Sequence, residues 1–203
     1  MSKIIAGIVL AAGLSSRMGQ SKALLPWAGN RTVIEQILAQ LQQAGLARIQ
    51  VVTGHQAEEV AAKATAMGIA TIHNPDYAAG EMLSSLKVGL LAQPEMVSAA
   101  LVVLGDQPRL EAPIVVQILE AYATGKGEII APRYRGQRGH PMLISRRYWD
   151  EIVALPAGGA PRDVIRQHPD ALYFVDVETD SVLSDIDTPE DYVRERQRAG
   201  LVG

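Results

Sequence analysis

The sequence predicts an α/β fold: a three-layer sandwich with a mostly parallel, doubly wound sheet covered by helices on both faces. Three observations carry this. Short apolar runs alternate along the chain with stretches of helical periodicity, the pattern of parallel strands joined through crossover helices. The first run, residues 4–10, is apolar without alternation, as a central strand buried on both faces must be. Glycine or an Asn-Pro turn closes successive units, at Gly45, Gly68 and Asn74-Pro75.

The elements follow in order. Val33, Ile34, Ile37, Leu38 and Leu41 keep helical spacing up to Gly45. Residues 49–53 read as the second strand, 57–67 as a helix and 71–73 as a short strand. A helix over 83–92 leads to 99–104, the most strand-like run in the chain. Pro113 opens a helix reaching Thr124, and 129–131 and 142–145 are short strands. Helices follow near 146–155 and 162–167, the second after the turn-rich segment 157–161, and 172–177 is the last strand. Thr188 caps the final helix, with Pro189 at its first position. At 203 residues, without repeat, low-complexity tract or linker, one domain is expected. A chain this long buries roughly 70% of its unfolded surface without a disulfide or zinc staple.

Composition excludes several functions. Apolar residues make up 48% and charged residues 20%, values typical of globular proteins rather than disordered ones. A formal charge of -3 argues against general nucleic-acid binding, and 4% aromatics leave little for a base-stacking platform. The absence of cysteine removes thiol nucleophiles, iron–sulfur clusters and Cys-type zinc sites, and suits a reducing cytoplasm. No apolar run reaches the ~18 residues of a membrane helix. Residues 4–14 after Lys3 have the outline of a signal peptide, but one basic residue and two interrupting glycines favour a strand running into a glycine turn.

In doubly wound sheets ligands bind beyond the carboxyl ends of the strands, so the loops after Leu10, Thr53, His73 and Leu104 are the places to search. The first, Leu10-Ala11-Ala12-Gly13-Leu14-Ser15-Ser16-Arg17-Met18-Gly19-Gln20-Ser21-Lys22, is small enough for backbone N–H groups to approach an anion, with Arg17 and Lys22 adding charge. It is neither a P-loop, because Gly19 precedes Gln20 rather than Lys, nor a G-x-G-x-x-G dinucleotide fingerprint. Phosphate binding is the favoured reading, an ordinary turn the bland one. Asp106, in Leu104-Gly105-Asp106-Gln107-Pro108, is placed to hold a hard cation or to bond its own turn. In Ser184-Asp185-Ile186-Asp187-Thr188-Pro189-Glu190-Asp191, alternation puts Asp185 and Asp187 on one side, while Asp191 reads as a helix cap. Finally, Arg133, Arg135, Arg138, Arg146 and Arg147 surround Gly139-His140-Pro141 with no acidic residue between Glu128 and Asp150. This patch suits an anionic small molecule, although Arg146 and Arg147 read equally as a solvated helix start. Of the four histidines, His140 is the functional candidate, whereas His55, His73 and His168 read as loop or cap residues.

Together, Leu10–Gly19 with Lys22, Asn74-Pro-Asp-Tyr with Gly80 and Ser84-Ser85-Leu86, Gly105-Asp-Gln-Pro, Gly139-His-Pro and Asp185-Ile-Asp-Thr-Pro-Glu-Asp resemble the molybdenum cofactor cytidylyltransferase family over residues 4–193. The first motif marks the wider nucleotidyltransferase superfamily; the full set is more specific. The resemblance implies a nucleotide-diphospho-sugar-transferase-like fold and transfer of CMP from CTP to the terminal phosphate of molybdopterin cofactor, with pyrophosphate released. It implies that Leu10, Ala11, Ala12, Gly13, Ser15 and Ser16 wrap the nucleotide with Arg17 and Lys22 on its charge. It also implies that Gly80, Ser84 and Ser85 lie along base and ribose, and that Asp106 and Asp187 hold Mg2+. Arg17, Lys22 and Asp106 then act in catalysis, and Arg138, His140 and Arg162 border the acceptor. The stretch Gly158-Gly159-Ala160-Pro161-Arg162 follows the family's Gly-Asp-x-Gly-Ala-Arg only loosely, and of it only Arg162 carries over. Where related guanylyltransferases carry Ala-Gly-Gly, this chain has Ala11-Ala12-Gly13, and the extra Cβ leaves less room beside a purine. An apo-molybdoenzyme is a further expected partner. The competing readings are nucleotidyl transfer to an isoprenoid or sugar precursor, a nicotinamide-dependent oxidoreductase, and a non-catalytic carrier of molybdenum cofactor.

Overall fold

The computed structural model describes residues 3–78 and 82–201. In chain order the strands are β1 (Ile4–Ala11), β2 (Arg48–Thr53), β3 (Ala70–His73), β4 (Val97–Leu104), β5 (Ile129–Tyr134), β6 (Gln137–Arg138), β7 (Met142–Ser145) and β8 (Leu172–Asp176). The helices are α1 (Val33–Gln43), α2 (Ala57–Ala66), α3 (Met82–Leu91), α4 (Ala112–Ala123), α5 (Trp149–Ala154), α6 (Pro161–Gln167) and α7 (Pro189–Arg198). The strands form one sheet in the order β3-β2-β1-β4-β7-β5-β6, with β8 on β5.

The sheet is covered on both faces, as an unalternating apolar strand requires. Val9, Val51, Leu101 and Val103 pack into one cluster with Ile34, Ile37 and Leu41 of α1, Val60 of α2 and Ile118 of α4. Their neighbours Ile8, Val52, Ala100 and Val102 point the other way, against Leu86 and Leu90 of α3, Ile152 of α5 and Ile165 of α6. Each buried Leu or Ile contributes roughly 1.5–3 kcal/mol, so a strand feeding both clusters is fixed in register. Thr32 and Glu35 form the capping box that starts α1.

β1 pairs in parallel with β2 and β4, β2 with β3, and β5 with β8. β7 runs antiparallel between β4 and β5. The cause lies in the connection: β5 ends at Tyr134 and β7 begins at Met142, too few residues for a parallel crossover. The two-residue β6, absent from the sequence reading, is the return arm of this tight connection, pairing Arg133 with Arg138. Reversal of β7 also sets where its flanking residues lie. Val102 faces Met142 and Ala99 faces Ser145, so His140 comes to the carboxyl edge of β4 and Arg146 to the opposite edge.

Candidate functional site

The carboxyl ends of β1 and β4 are drawn together at one glycine. The Gly105 N–H donates to the Leu10 carbonyl at 2.9 Å. A Cβ on Gly105 would stand 2.6 Å from that oxygen and 3.1 Å from the Ala11 Cα. Only glycine permits this approach, and it delivers Asp106 beside the loop leaving β1. Here lies a cavity of about 470 Å3 lined by Leu10, Ala11, Ala12, Gly13 and Ser15 on one side, Tyr77, Met82 and Ser85 on another, with Lys22 and Asp106 at its end. Three of the four loops picked out in the sequence therefore meet, and the fourth supports them from behind: His55 N–H donates to the Ala12 carbonyl at 3.2 Å.

The loop is folded to return Lys22 to the sheet. Ser15 takes a left-handed conformation, with φ 51°, and its carbonyl accepts from Met18 N–H at 2.9 Å. Its Oγ accepts from Lys22 N–H at 3.1 Å, and Gln56 Oε1 accepts from Ser21 N–H at 3.1 Å. Buried Ala23 and Leu25 anchor the chain just beyond. Ser16 and Arg17 lie in the exposed turn between these anchors.

Asp187 arrives from the far end of the sequence. Fully buried Ile186 inserts into the first apolar cluster, and its N–H donates to the Asp106 carbonyl at 3.0 Å. With Ile186 turned inward, Asp185 is held by Gln107 Nε2 and Asp187 faces Lys22. Asp191 fixes the next step: its Oδ2 accepts from the N–H groups of Asp187 at 3.1 Å and Thr188 at 2.9 Å. Asp191 is thus the cap its sequence position predicts. Hydrogen bonding from Arg194, together with those caps, holds its carboxyl down at about 2.

Lys22 Nζ donates to Asp187 Oδ1 at 2.6 Å and to Asp106 Oδ2 at 3.2 Å. Arg17 reaches the other oxygen of Asp187 at 3.5 Å. The two carboxyls differ in environment. Burial pushes Asp106 above its ordinary value, against the pull of Lys22 and with the negative charges of Asp185 and Asp187 adding to the rise. The Lys22 hydrogen bond lowers Asp187, which is partly exposed and gains further from Lys22 and Arg17 charge. Among the described residues no cluster of three His, Cys, Asp or Glu side chains forms a protein cage for a metal. Two hard carboxylates converging on one cation do fit Mg2+, which takes one or two carboxylates and completes its shell with water and substrate phosphate.

The profile of the MobA-like NTP transferase domain matches residues 7–172. This chain belongs to the MobA-like NTP transferase family. It is 34% identical over 192 residues to the molybdenum cofactor cytidylyltransferase of Escherichia coli K12, covering 94% of this chain and 95% of that one. It is also 30% identical over 198 residues to the nicotine blue oxidoreductase of Paenarthrobacter nicotinovorans, covering 94% and 95%. Among solved structures, Rv0371c from Mycobacterium tuberculosis H37Rv superposes with a TM-score of 0.83 at 28% identity, over 97% of this chain and 100% of that one. A manganese complex of the same protein superposes with a TM-score of 0.77 at 27% identity, over 96% and 99%. The chain is a nucleotidyltransferase.

In this MobA-like transferase the remaining candidates separate. Ser85 lines the cavity and Ser84 lies beside it, both accepting from the Nδ2 of fully buried Asn74, at 3.0 and 2.9 Å. Gly80 lies outside the described residues. Asn74, read in sequence as a turn residue, is thus also the post that holds both serines; the Asn-Pro pair signals the turn and not this second duty. Tyr77 was missed too. It sits between the rings of His55 and His73, at 6.5 and 6.0 Å between centroids. A Cβ on Gly54 would come within 2.5 Å of the Tyr77 Cβ, so a glycine beneath it is required.

His140 stands on the Asp106 edge of the sheet, its N–H donating to the Val182 carbonyl at 2.9 Å. Its Nδ1 is buried without a hydrogen-bond partner among the described residues. Burial, aided by the charge of Arg138 and opposed by that of Asp185, lowers its pKa and keeps the ring neutral at pH 7. The arginines do not form the single patch that their sequence clustering suggests. Arg133 is paired with Asp176 at 2.7 and 2.9 Å. Arg146, on the opposite edge because β7 is reversed, donates to the carbonyls of Pro94 and Val97 and covers the Trp149 ring, while Arg147 lies over Tyr148. Arg138 is exposed on β6, and Arg162 is exposed at the first turn of α6, outside the cavity lining. No described helix is long and apolar enough to cross a membrane.

Proposed function

We propose that this transferase moves CMP from CTP to the terminal phosphate of molybdopterin cofactor, with Mg2+, releasing pyrophosphate. The observation that carries the reading is the meeting of Lys22, Asp106 and Asp187 at the end of a cavity walled by the small-residue loop. The named cytidylyltransferase relative supports the choice of nucleotide and acceptor. An acceptor phosphate oxygen is already anionic at neutral pH, so it bonds to the α-phosphorus without a general base. The bond from that phosphorus to the bridging oxygen breaks, and its electron pair leaves with pyrophosphate. Ala11 to Ser16 would lie along the triphosphate, with Arg17 and Lys22 offsetting charge that grows on the leaving group. Asp106 and Asp187 would hold the Mg2+. The ion, when bound, supplies Lewis-acid neutralisation of the phosphates. Ser84 and Ser85, held by Asn74, would contact base and ribose, and Arg138, His140 and Arg162 would serve the acceptor.

Ala12 is buried in the cavity wall, where its Cβ would narrow the space beside a bound base. The test is label transfer from each α-labelled nucleoside triphosphate to molybdopterin cofactor, with pyrophosphate release followed in parallel. CMP transfer exceeding GMP transfer is expected. Equal or better use of GTP overturns the base assignment, and release independent of the cofactor overturns the acceptor. A redox reading is favoured only by the named oxidoreductase relative, and it gives Lys22, Asp106 and Asp187 no task. Binding of NADH by the purified chain, with no nucleotidyl transfer, would favour it instead.

A further inference from the structure

Lys22 occupies the place that the metal reading gives to a cation. We infer that Lys22 is a resident counter-ion of the Asp106–Asp187 pair and must leave it before a divalent cation can bind, so that nucleotide and metal load cooperatively. The inference rests on the reading of these two carboxylates as metal ligands. Its geometry is direct: one ammonium nitrogen lies 2.6 Å from Asp187 Oδ1 and 3.2 Å from Asp106 Oδ2. A magnesium ion sharing those oxygens at about 2.1 Å would sit against the ammonium. Two adjacent cations in a poorly solvated recess repel strongly, and the Lys22 side chain is only 16% exposed.

Charge balance points the same way. Lys22 and Arg17 offset the charges of Asp106 and Asp187, which lowers the attraction the nucleotide-free site offers a divalent ion. Asp185, the third carboxylate nearby, adds its negative charge to the site, while its Oδ1 is occupied by the neutral amide of Gln107. Lys22 also has somewhere to go. Its backbone is pinned through Ser15 Oγ, whereas its four-carbon stem has rotatable bonds that could swing the ammonium, and the residue lines the cavity as well as the carboxylate pair. A triphosphate along Ala11–Ser15 gives the ammonium a second anionic partner, vacating the carboxylates for the metal. By linkage the metal, once bound, strengthens the hold on nucleotide by the same factor.

The experiment measures Mn2+ binding to the nucleotide-free protein, by electron paramagnetic resonance of the free ion and by calorimetry. Lys22→Met is expected to bind Mn2+ at least about tenfold more tightly than wild type, within the usual range of site–site coupling. Lys22→Arg, which keeps the charge, is expected to stay near wild type, and Lys22→Met/Asp106→Asn to lose the gain. Lys22→Gln serves if the methionine variant does not fold. Unchanged or weaker binding in the neutral variants overturns the inference. So does an arginine variant as tight as methionine, or a gain that survives Asp106→Asn. No nucleotide or acceptor is present, so failure of the cytidylyl assignment leaves this readout intact.

Discussion

Along the carboxyl edge of the sheet, β1 and β4 bring Lys22 and Asp106 to a cavity, whereas β5 and β6 carry Arg133 and Arg138. In sequence the second region has the stronger charge signal, five arginines in fifteen residues against two cations in the first loop. In the fold the order reverses. Arg133 is consumed by Asp176, and Arg146 has been carried to the other edge, where it satisfies two carbonyls. Lys22, with no acidic residue before Glu35 in the sequence, finds two carboxylates from residues far along the chain. The difference lies in what the backbone does around each charge. Parallel strands end together and let Gly105 and the Ala11–Ser15 loop converge, while a reversed strand spreads its flanking cations to opposite edges.

The comparison breaks most sharply through the carboxylates. Asp106→Asn and Asp187→Asn should each lower kcat by roughly 10²–10³, as loss of a preorganised electrostatic contact does, with the fold retained. Asp185→Asn should be milder, because asparagine still accepts from Gln107. Steady-state kinetics on the three variants check this, and equal losses at Asp185 and Asp187 would put both carboxylates in the same role. On the arginine side, Arg133→Ala should leave kcat within about twofold and barely move the urea midpoint, since its pair with Asp176 is a solvent-screened surface one. Arg146→Ala should likewise spare turnover and show itself in a urea titration, at about 1 kcal/mol for its carbonyl bonds. A large kcat defect in either would restore the patch as an anion site.

The smallest effect concerns the cap beside Asp187. The Asp191 carboxyl titrates at about 2 in the fold against 3.8 ordinarily. Its ionised form is favoured by folding, so its contribution is complete above pH 3.8 and fades as pH falls towards 2. Urea titrations of wild type and Asp191→Ala should therefore differ most near neutrality and converge at the acid end. A gap that stays constant with pH would remove the charge from the cap.

Strand and helix order was legible because burial on two faces leaves an apolar imprint, as at Ile8 and Val9. Thr188 and Asp191 were legible because a cap is local chemistry. The reversal of β7 was not, since four buried residues read the same in either direction. Nor was the duty of Asn74, whose partners Ser84 and Ser85 lie on the following helix. The meeting of Asp106 with Asp187 was expected from resemblance, but its physical cause, Ile186 docking on the Asp106 carbonyl, is a tertiary contact with no periodic signature.

The most direct measurement is a crystal structure with Mg2+ and a non-reactive CTP analogue. The account predicts one ion within about 2.1 Å of both Asp106 and Asp187, with the triphosphate along Ala11–Ser15 and Lys22 turned onto it. An ion held away from Asp187, with Lys22 still bridging the two carboxylates, would contradict it.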